Sequence, residues 1–512
     1  MGGRIQAWSL LAILACLWGS TAGAATFTVT NLADDGSVGT LRYWLMHPAV
    51  NDGDVIKIPP GTYVLDPAKG QLTIKKSLTL EGAGFNLTVV DGGGASRVFH
   101  VSGNDGAGDV VLSSMTIQNG HSDSMGGGIL FTGPAATLTV PGTLSIINCH
   151  VTNNQAKDAG GGIAVAPQGG ALSVQYSVIA NNQAGPGLGL GGGIHHAGKK
   201  LIITNTQIND NTAHLAGGGV HNSSSMLMVN STIARNSAQG YGGGADNAAL
   251  ATFYHVTIAE NTSPQGAGLS SSGAAALLTL RNSAIAKNGP GGNCVSGGAY
   301  FSQGYNLDDD ATCVSGPYDL IADPLFDPKG LANNGGLTET YALLPGSPAI
   351  DAADVLSGMI GIAGDQRGYV RSVDGNGDGV AGADIGAYEA TAPSASWYPI
   401  CGNGNGEFPE ECDDANTVSG DGCSGICQLE APAPSGGGTV LEQTPMVQIK
   451  PEAVLKLLPI CGNGKVEGFE ECDHGANNGK PGDTCNAQCK NAPQKREMSA
   501  KPWYQRLIFR RR

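Results

Sequence analysis

The chain has 512 residues, of which 80 are glycine and 41% are hydrophobic, and its formal net charge at pH 7 is −15. An acidic chain lacks the basic face that general nucleic-acid binding requires, so we expect no nucleic-acid partner. The hydrophobic fraction excludes a simple disordered polymer, and the length suffices for several domains and a sizeable core.

Residues 1–24 have the features of a secretory signal peptide. Arg4 precedes an apolar run from Ala7 to Trp18, and the small residues 22–24 suit a signal peptidase. Lipoprotein-type cleavage before Cys16 is the alternative, although Leu14 is bulky for that site. This run is short for a bilayer and no later segment has 18 consecutive apolar residues, so we expect an exported chain with no transmembrane span.

Residues 41–46, with the sequence LRYWLM, predict a short amphipathic helix. A repeat domain follows it, and the first strands of such a domain have unpaired edges. We therefore expect this helix to cover the open end of the repeat domain.

A repeat with a period of about 24–34 residues occupies residues 112–288. Its units contain short β-branched runs, a recurring asparagine with an aliphatic residue three positions earlier, and a glycine triplet. The triplets begin at Gly126, Gly160, Gly191, Gly217, Gly242 and, in degenerate form, Gly266. The asparagines are Asn154, Asn182, Asn211, Asn236, Asn261 and Asn288.

Runs of four to six residues are long enough for strands and too short for helices, so this period predicts a solenoid. We expect an all-β parallel β-helix in which aliphatic side chains stack inward, asparagine amides stack along the axis and glycines form tight corners. A β-propeller or a β-sandwich is less favoured, because both require longer units or an even hairpin rhythm.

Cysteines outside the C-terminal region fall into two groups. Cys294 and Cys313 bracket a loop and are expected to form a disulfide. Cys149 occupies the position that Ser231 and Ser283 fill in other coils, so we expect a buried, inert thiol.

The sequence resembles the bacterial choice-of-anchor Q proteins across residues 25–391. The resemblance rests on the start TFTVTN with GTLR, the NSTI and GGGI repeats, NNGGLT, LPGSPAID, DQRG and the closing DIGAYE. It implies a right-handed parallel β-helix with an N-terminal cap and a C-terminal choice-of-anchor Q region, carried to the bacterial cell surface. It does not imply one activity.

The C-terminal part resembles the myxobacterial-type cysteine-rich repeat, in two copies at residues 392–430 and 460–490 with a linker at 431–459. Each copy has four cysteines, which we expect to form disulfides rather than a zinc site, with three pairings open in each copy. These cysteines are Cys401, Cys412, Cys423, Cys427, Cys461, Cys472, Cys485 and Cys489. A basic, aromatic tail at residues 491–512 predicts either contact with anionic lipid or a solvated end.

Two clusters of oxygen-bearing side chains have the spacing of calcium ligands, so calcium is the expected cofactor. The first combines a D-x-N-x-D-G loop with a later aspartate, and the second lies in the first cysteine-rich repeat. A solvated Asp/Gly loop and turn-forming aspartates are the respective alternatives. The candidate ligands are Asp374, Asn376, Asp378, Asp384, Asp413, Asp414, Asn416 and Asp421.

His195, His221 and Asp246 each lie two positions after a glycine triplet, so neighbouring coils should stack them on the outer face. A base on such a face is the expected site if the chain is a secreted polysaccharide lyase or glycoside hydrolase. The alternative, which the sequence favours, is that these are outer-ladder residues of a non-catalytic adhesin. Its partners would be a polysaccharide, an extracellular matrix or another cell surface.

Overall fold

The computed structural model describes residues 24–102, 108–133, 142–314, 316–354 and 364–390. In these ranges the chain is almost entirely β-structure, with a helix at Leu41–Met46. Residues 1–23 of the predicted signal peptide, both cysteine-rich modules, their linker and the basic tail lie outside the described residues.

Three sheets of parallel strands, called I, II and III, run along the coil axis. Sheet I comprises Thr26–Thr28, Val55–Ile58, Gly61–Val64, Thr79–Gly82, Thr88–Asp91, Val110–Ser113, Thr116–Gln118, Thr143–Ile147, His150–Thr152, Ala171–Gln175, Val178–Ala180, Lys200–Thr204, Gln207–Asn209, Ser225–Ala234, Leu250–Ala259, Leu277–Arg281, Ala284–Ala286, Ala299–Ser302 and Leu307–Asp308. Sheet II comprises His121–Ser122, Gln155–Ala156, Gln183–Ala184, Thr212–Ala213 and Ser237–Ala238. Sheet III comprises Leu72–Ile74, Phe99–Val101, Ile129–Phe131, Ile163–Val165, Ile194–His196, Val220–Asn222, Ala245–Asn247, Leu269–Ser271 and Cys294–Ser296.

The parallel β-helix predicted from the repeat is therefore confirmed. Its core is a set of aliphatic columns, because in-register pairing places equivalent residues of successive coils above one another. Ile179, Ile208 and Ile233 form one such column, and each is fully buried. Each buried side chain of this size contributes about 1.5–3 kcal/mol relative to exposure.

The predicted asparagine ladder is also present, and it hydrogen-bonds to the main chain of two coils. The Asn211 side-chain amide donates to the Ile179 carbonyl oxygen at 2.8 Å and to Asn236 Oδ1 at 2.9 Å. The Asn211 backbone N–H also donates to Asn236 Oδ1, at 3.0 Å. These buried amides satisfy backbone groups where the chain turns from sheet I to sheet II.

Substitution of Asn236 by leucine should lower the free energy of unfolding by about 3 kcal/mol or more. The variant loses the acceptor for the Asn211 backbone N–H and side-chain amide. It also loses the donor for the Ile208 carbonyl oxygen and for Asn261 Oδ1, so four buried hydrogen bonds disappear. Urea unfolding followed by circular dichroism measures the effect. Asn86→Leu on an exposed turn is the control, and equal losses in the two variants would contradict the ladder's role.

Glycine triplets form the corners before sheet III, as predicted. Gly191 has a φ of 63°, and a Cβ on Gly192 would lie 2.4 Å from the Gly218 carbonyl oxygen of the next coil. The first position therefore requires a left-handed conformation, and the second requires close contact between backbones. At the N-terminal end, the predicted helix buries Leu41 and Leu45 against the first coils.

Both cysteine predictions within the described ranges hold. Cys294 and Cys313 form a disulfide, and Cys149 is a free, fully buried thiol. Burial raises the pKa of the Cys149 thiol to about 12. The Cys149 backbone N–H donates to Ser177 Oγ at 3.1 Å, which places this cysteine in the serine column of the next coils.

After the last coil, the chain folds back along the side of the solenoid. An antiparallel pair, Phe326–Ala332 with Thr340–Leu343, leads into residues 364–390, which we call the closing segment. Strands of sheet I bind this segment: the Asn230 side chain donates to the Gly364 carbonyl oxygen at 2.7 Å, and Ala387 N donates to Thr257 Oγ1 at 2.9 Å. The closing segment therefore joins several coils together.

Candidate functional site

The middle residues of the sheet III strands form an outward-facing column. Val220 and Ala245 point into the core, so the residues that follow them point outward. The pairing register joins His195 to His221 and His221 to Asp246. The structure thus brings the three candidate residues into neighbouring coils, as their spacing predicted.

Ser223, His221 and Asp246 form a continuous hydrogen-bonded chain, which we call the relay. His221 Nδ1 lies 2.8 Å from Asp246 Oδ2, and Ser223 Oγ lies 3.0 Å from His221 Nε2. Because an ionised carboxylate accepts only, Asp246 fixes the imidazole proton on Nδ1 and leaves the Nε2 lone pair toward the serine hydroxyl. This is the arrangement of a nucleophile, a base and an orienting carboxylate.

The relay runs from a buried carboxylate on the outer side of sheet III to an exposed hydroxyl. Asp246 is fully buried, His221 is almost buried and Ser223 is exposed. Asp246 Oδ2 also accepts from Ser272 Oγ at 3.0 Å, whereas Asp246 Oδ1 has no hydrogen-bond partner among the described residues. A buried carboxylate is costly without compensation, so the contacts of Asp246 with His221 and Ser272 stabilise it.

His195 differs from His221 in its surroundings. Its ring stacks on His221 with centroids 5.2 Å apart and planes inclined by 5°. Burial, with the nearby His221 and His196, lowers the pKa of His195 to about 3. His195 is therefore neutral at physiological pH, and its ring packs against one face of the His221 ring.

The partly buried His150 should make the fold sensitive to acid. Burial lowers the pKa of His150 to about 4, so the folded chain leaves it neutral while the unfolded chain protonates it below about pH 6.5. Stability is then lost as the pH falls from about 6.5 toward 4. Replacing His150 by glutamine should reduce the slope of unfolding free energy against pH by up to about 1.4 kcal/mol per pH unit.

Denaturant titrations at pH 7, 6 and 5 measure this slope. The His214→Gln variant is the control, because His214 is exposed in the folded chain. An unchanged slope in His150→Gln would contradict the prediction.

A family model described as a right-handed β-helix region matches residues 127–306. The match supports a right-handed coil, as the sequence predicted. A second family model, a domain of unknown function named DUF4215, matches residues 387–428, which overlap the predicted first cysteine-rich module.

Among solved structures, the chain is similar to pectate lyase Pel9A with a TM-score of 0.41 and 14% identity, covering 72% of this chain and 98% of that one. It is also similar to the pectin methylesterase PemA from Erwinia chrysanthemi with a TM-score of 0.30 and 12% identity, covering 59% and 93%. No curated protein matches the sequence.

The first predicted calcium loop lies in the closing segment. Asp374 Oδ1 accepts from the Gly377 backbone N–H at 2.7 Å, and Asn376 Oδ1 accepts from Asp378 N at 2.8 Å. Asp384, by contrast, is fully buried and accepts from the backbone of Asp351 at 2.8 Å. The second predicted calcium cluster, at Asp413, Asp414, Asn416 and Asp421, lies outside the described residues, as do the eight C-terminal cysteines.

Within the described ranges, no group of three or more His, Cys, Asp or Glu side chains is arranged to hold a metal ion. Calcium stays a prediction from the sequence.

Ser223 was missed by the sequence reasoning. It follows His221 by two positions, and alternate residues of an extended segment share a face. That spacing could have indicated a serine on the same face as His221. It was weak because Ser223, Ser224 and Ser225 follow one another, so the sequence does not distinguish the serine that faces the imidazole.

Proposed function

We propose that this protein is an exported hydrolase that removes ester-linked acyl groups from a polysaccharide. Ser223 is the nucleophile, His221 is the general base and Asp246 orients His221. The observation that supports this assignment is the relay, with separations of 3.0 Å and 2.8 Å between its three side chains. His195 positions the base by stacking on it.

The reaction proceeds in two steps. Ser223 Oγ attacks the ester carbonyl carbon while its proton passes to His221 Nε2. The bond to the alcohol oxygen then breaks, and His221 returns the proton to that oxygen, leaving the acyl group on Ser223. Water next attacks the acyl carbon and gives a proton to His221, which passes it to the departing Ser223 oxygen. One water is consumed, and a free hydroxyl and a carboxylic acid are formed.

The accessibility of the relay favours a polymeric substrate. Ser223 is exposed on the outer face of a solenoid, where a long chain can lie across the coils. Glycoside hydrolysis, one of the two reactions considered from the sequence, requires a pair of carboxyl groups that flank the bond. Asp246 is fully buried, and its contact with His221 suits an orienting role, so the geometry favours acyl transfer over that reaction.

Two measurements test the hydrolase. A fluorophosphonate probe should label Ser223, as located by peptide mass spectrometry, and acetate should be released from an acetylated xylan or glucomannan. Both signals should disappear in Ser223→Ala and persist in Ser224→Ala. Ser224 is the matched control because its hydroxyl donates to the Lys199 carbonyl oxygen at 3.3 Å and not to His221. Labelling that is equal in the two variants, or absent from the wild type, would refute the proposal.

The second candidate function is non-catalytic binding by an exported adhesin, at the cell surface or in the medium. It is favoured by the regular outer face of the solenoid, which presents in-register polar side chains such as Gln155 and Gln183. Among the described residues, no helix is long and apolar enough to cross a membrane. Absence of acyl release from every acetylated substrate, with binding to one of them retained, would support this second function.

A further inference from the structure

A second polar surface lies one face away from the relay, on sheet II. The outward residues Gln155, Gln183 and Thr212 pair in register across three coils. With the loop at Gly185 and Pro186 they line a groove whose far side is formed by two further polar side chains, His214 and Gln239.

Most of the accessible surface of the groove is apolar, and polar side chains project from its lining residues. The adjacent buried amides of Asn182 and Asn211 are bonded to each other at 3.0 Å. By contrast, the side chains of Gln155, Gln183 and Gln239 are exposed and have no hydrogen-bond partner among the described residues. Each amide presents two donors and an acceptor with two lone pairs.

The walls of the groove are packed rather than loose. A Cβ on Gly185 or Gly189 would lie 2.7 Å or 2.5 Å from His214 Cβ, so these glycines allow His214 to pack against the loop. Backbone hydrogen bonds fix the same contact, from His214 N to the Ala184 carbonyl oxygen at 2.9 Å and from Leu215 N to that of Gly189 at 2.8 Å. The groove is therefore formed before any ligand binds, which lowers the entropic cost of binding.

We propose that this groove binds a neutral saccharide chain. None of its lining residues is an acidic side chain, a lysine or an arginine, and amides and hydroxyls both donate and accept, as sugar hydroxyls do. The net charge of −15 repels a polyanionic ligand. Successive coils present equivalent groups about 4.8 Å apart, so several groups meet one extended chain.

The site is separate from the relay, since no groove residue contacts Ser223, His221 or Asp246 through a hydrogen bond in the described structure. Thr212 and His214 nevertheless precede His221 in the same coil. A saccharide held in the groove would therefore be anchored on the coils that carry Ser223.

Affinity electrophoresis of the mature chain tests the proposal in a Ser223→Ala background, so that binding is measured without turnover. The probes are glucomannan, xyloglucan and dextran as neutral polymers, and polygalacturonate as an acidic one. At least one neutral polymer should retard the protein. A Gln155→Ala/Gln183→Ala double variant should weaken that retardation at least tenfold, and Thr212→Trp, which fills the groove, should do the same.

Gln168→Ala is the matched control, because Gln168 is an exposed glutamine outside the groove and should leave binding unchanged. Retardation by polygalacturonate alone, by no neutral probe, or equally in wild-type and groove variants would overturn the proposal. The hydrolase is judged separately: with Ser223 intact, groove variants should cleave the small ester p-nitrophenyl acetate at the wild-type rate.

Discussion

Asp246→Asn is expected to slow acyl release by about 10⁴-fold, because the carboxylate fixes the tautomer of the base. Asp246 Oδ2 holds the proton on His221 Nδ1, and Nε2 is then free to accept the proton of Ser223. An asparagine amide that donates to Nδ1 moves the imidazole proton to Nε2, where it blocks acceptance from the hydroxyl. Initial rates of acetate release from the acetylated polymer measure the loss.

Ser272→Ala is the control for this variant. Ser272 Oγ donates to the same carboxylate oxygen at 3.0 Å, but its removal leaves the bond between Asp246 and His221 in place. We expect a loss far smaller than the roughly 10⁴-fold loss in Asp246→Asn, because the contact that fixes the tautomer of His221 remains. A loss below about tenfold in Asp246→Asn would show that Asp246 does not orient a base.

The solenoid could be predicted from the sequence because its contacts repeat. Asn182, Asn211 and Asn236 recur at a nearly constant interval, and in-register stacking turns that interval into direct contact. The same logic placed His195 beside His221. In a periodic fold the sequence therefore predicts which residues are in contact, since residues that are one period apart lie in adjacent coils.

The closing segment could not be placed in this way. Its contacts join residues more than 100 positions apart, such as Asn230 with Gly364, and no interval in the sequence relates them. The relay shows the same limit on a smaller scale. His221 and Asp246 are joined by the repeat, whereas Ser223 is selected by the local direction of a turn between two strands.

Arg371 joins the closing segment to the solenoid through a buried group of polar contacts. Its guanidinium lies 3.3 Å from Glu389 Oε2, and it also donates to Asn230 Oδ1 at 3.1 Å and to the Gly386 carbonyl oxygen at 2.8 Å. Asp384 and Glu389 are fully buried nearby. Burial, reinforced by the charge of Glu389, raises the pKa of Asp384 to about 8, and the positive charge of Arg371 opposes this rise.

Arg371→Met should therefore lower the free energy of unfolding by about 3–5 kcal/mol, because it leaves buried carboxyl groups without their cation. The deficit should grow as the pH rises from 5 to 8. Loss of Arg371 raises the folded-state pKa of both carboxyls further, and a carboxyl whose folded pKa exceeds its unfolded value loses stability as the pH rises.

Arg235→Met is the matched control for Arg371→Met. Arg235 forms an ion pair of 2.8 Å with Asp210, but both side chains are partly exposed, so its loss should cost below about 1 kcal/mol and vary little with pH. Urea unfolding of both variants at pH 5, 6.5 and 8 measures the difference. Equal and pH-independent losses would mean that the closing segment is held by its backbone contacts with the coils, and that the charge of Arg371 is dispensable. A large deficit confined to Arg371→Met would instead identify the buried cation as the group that fastens the closing segment to the solenoid.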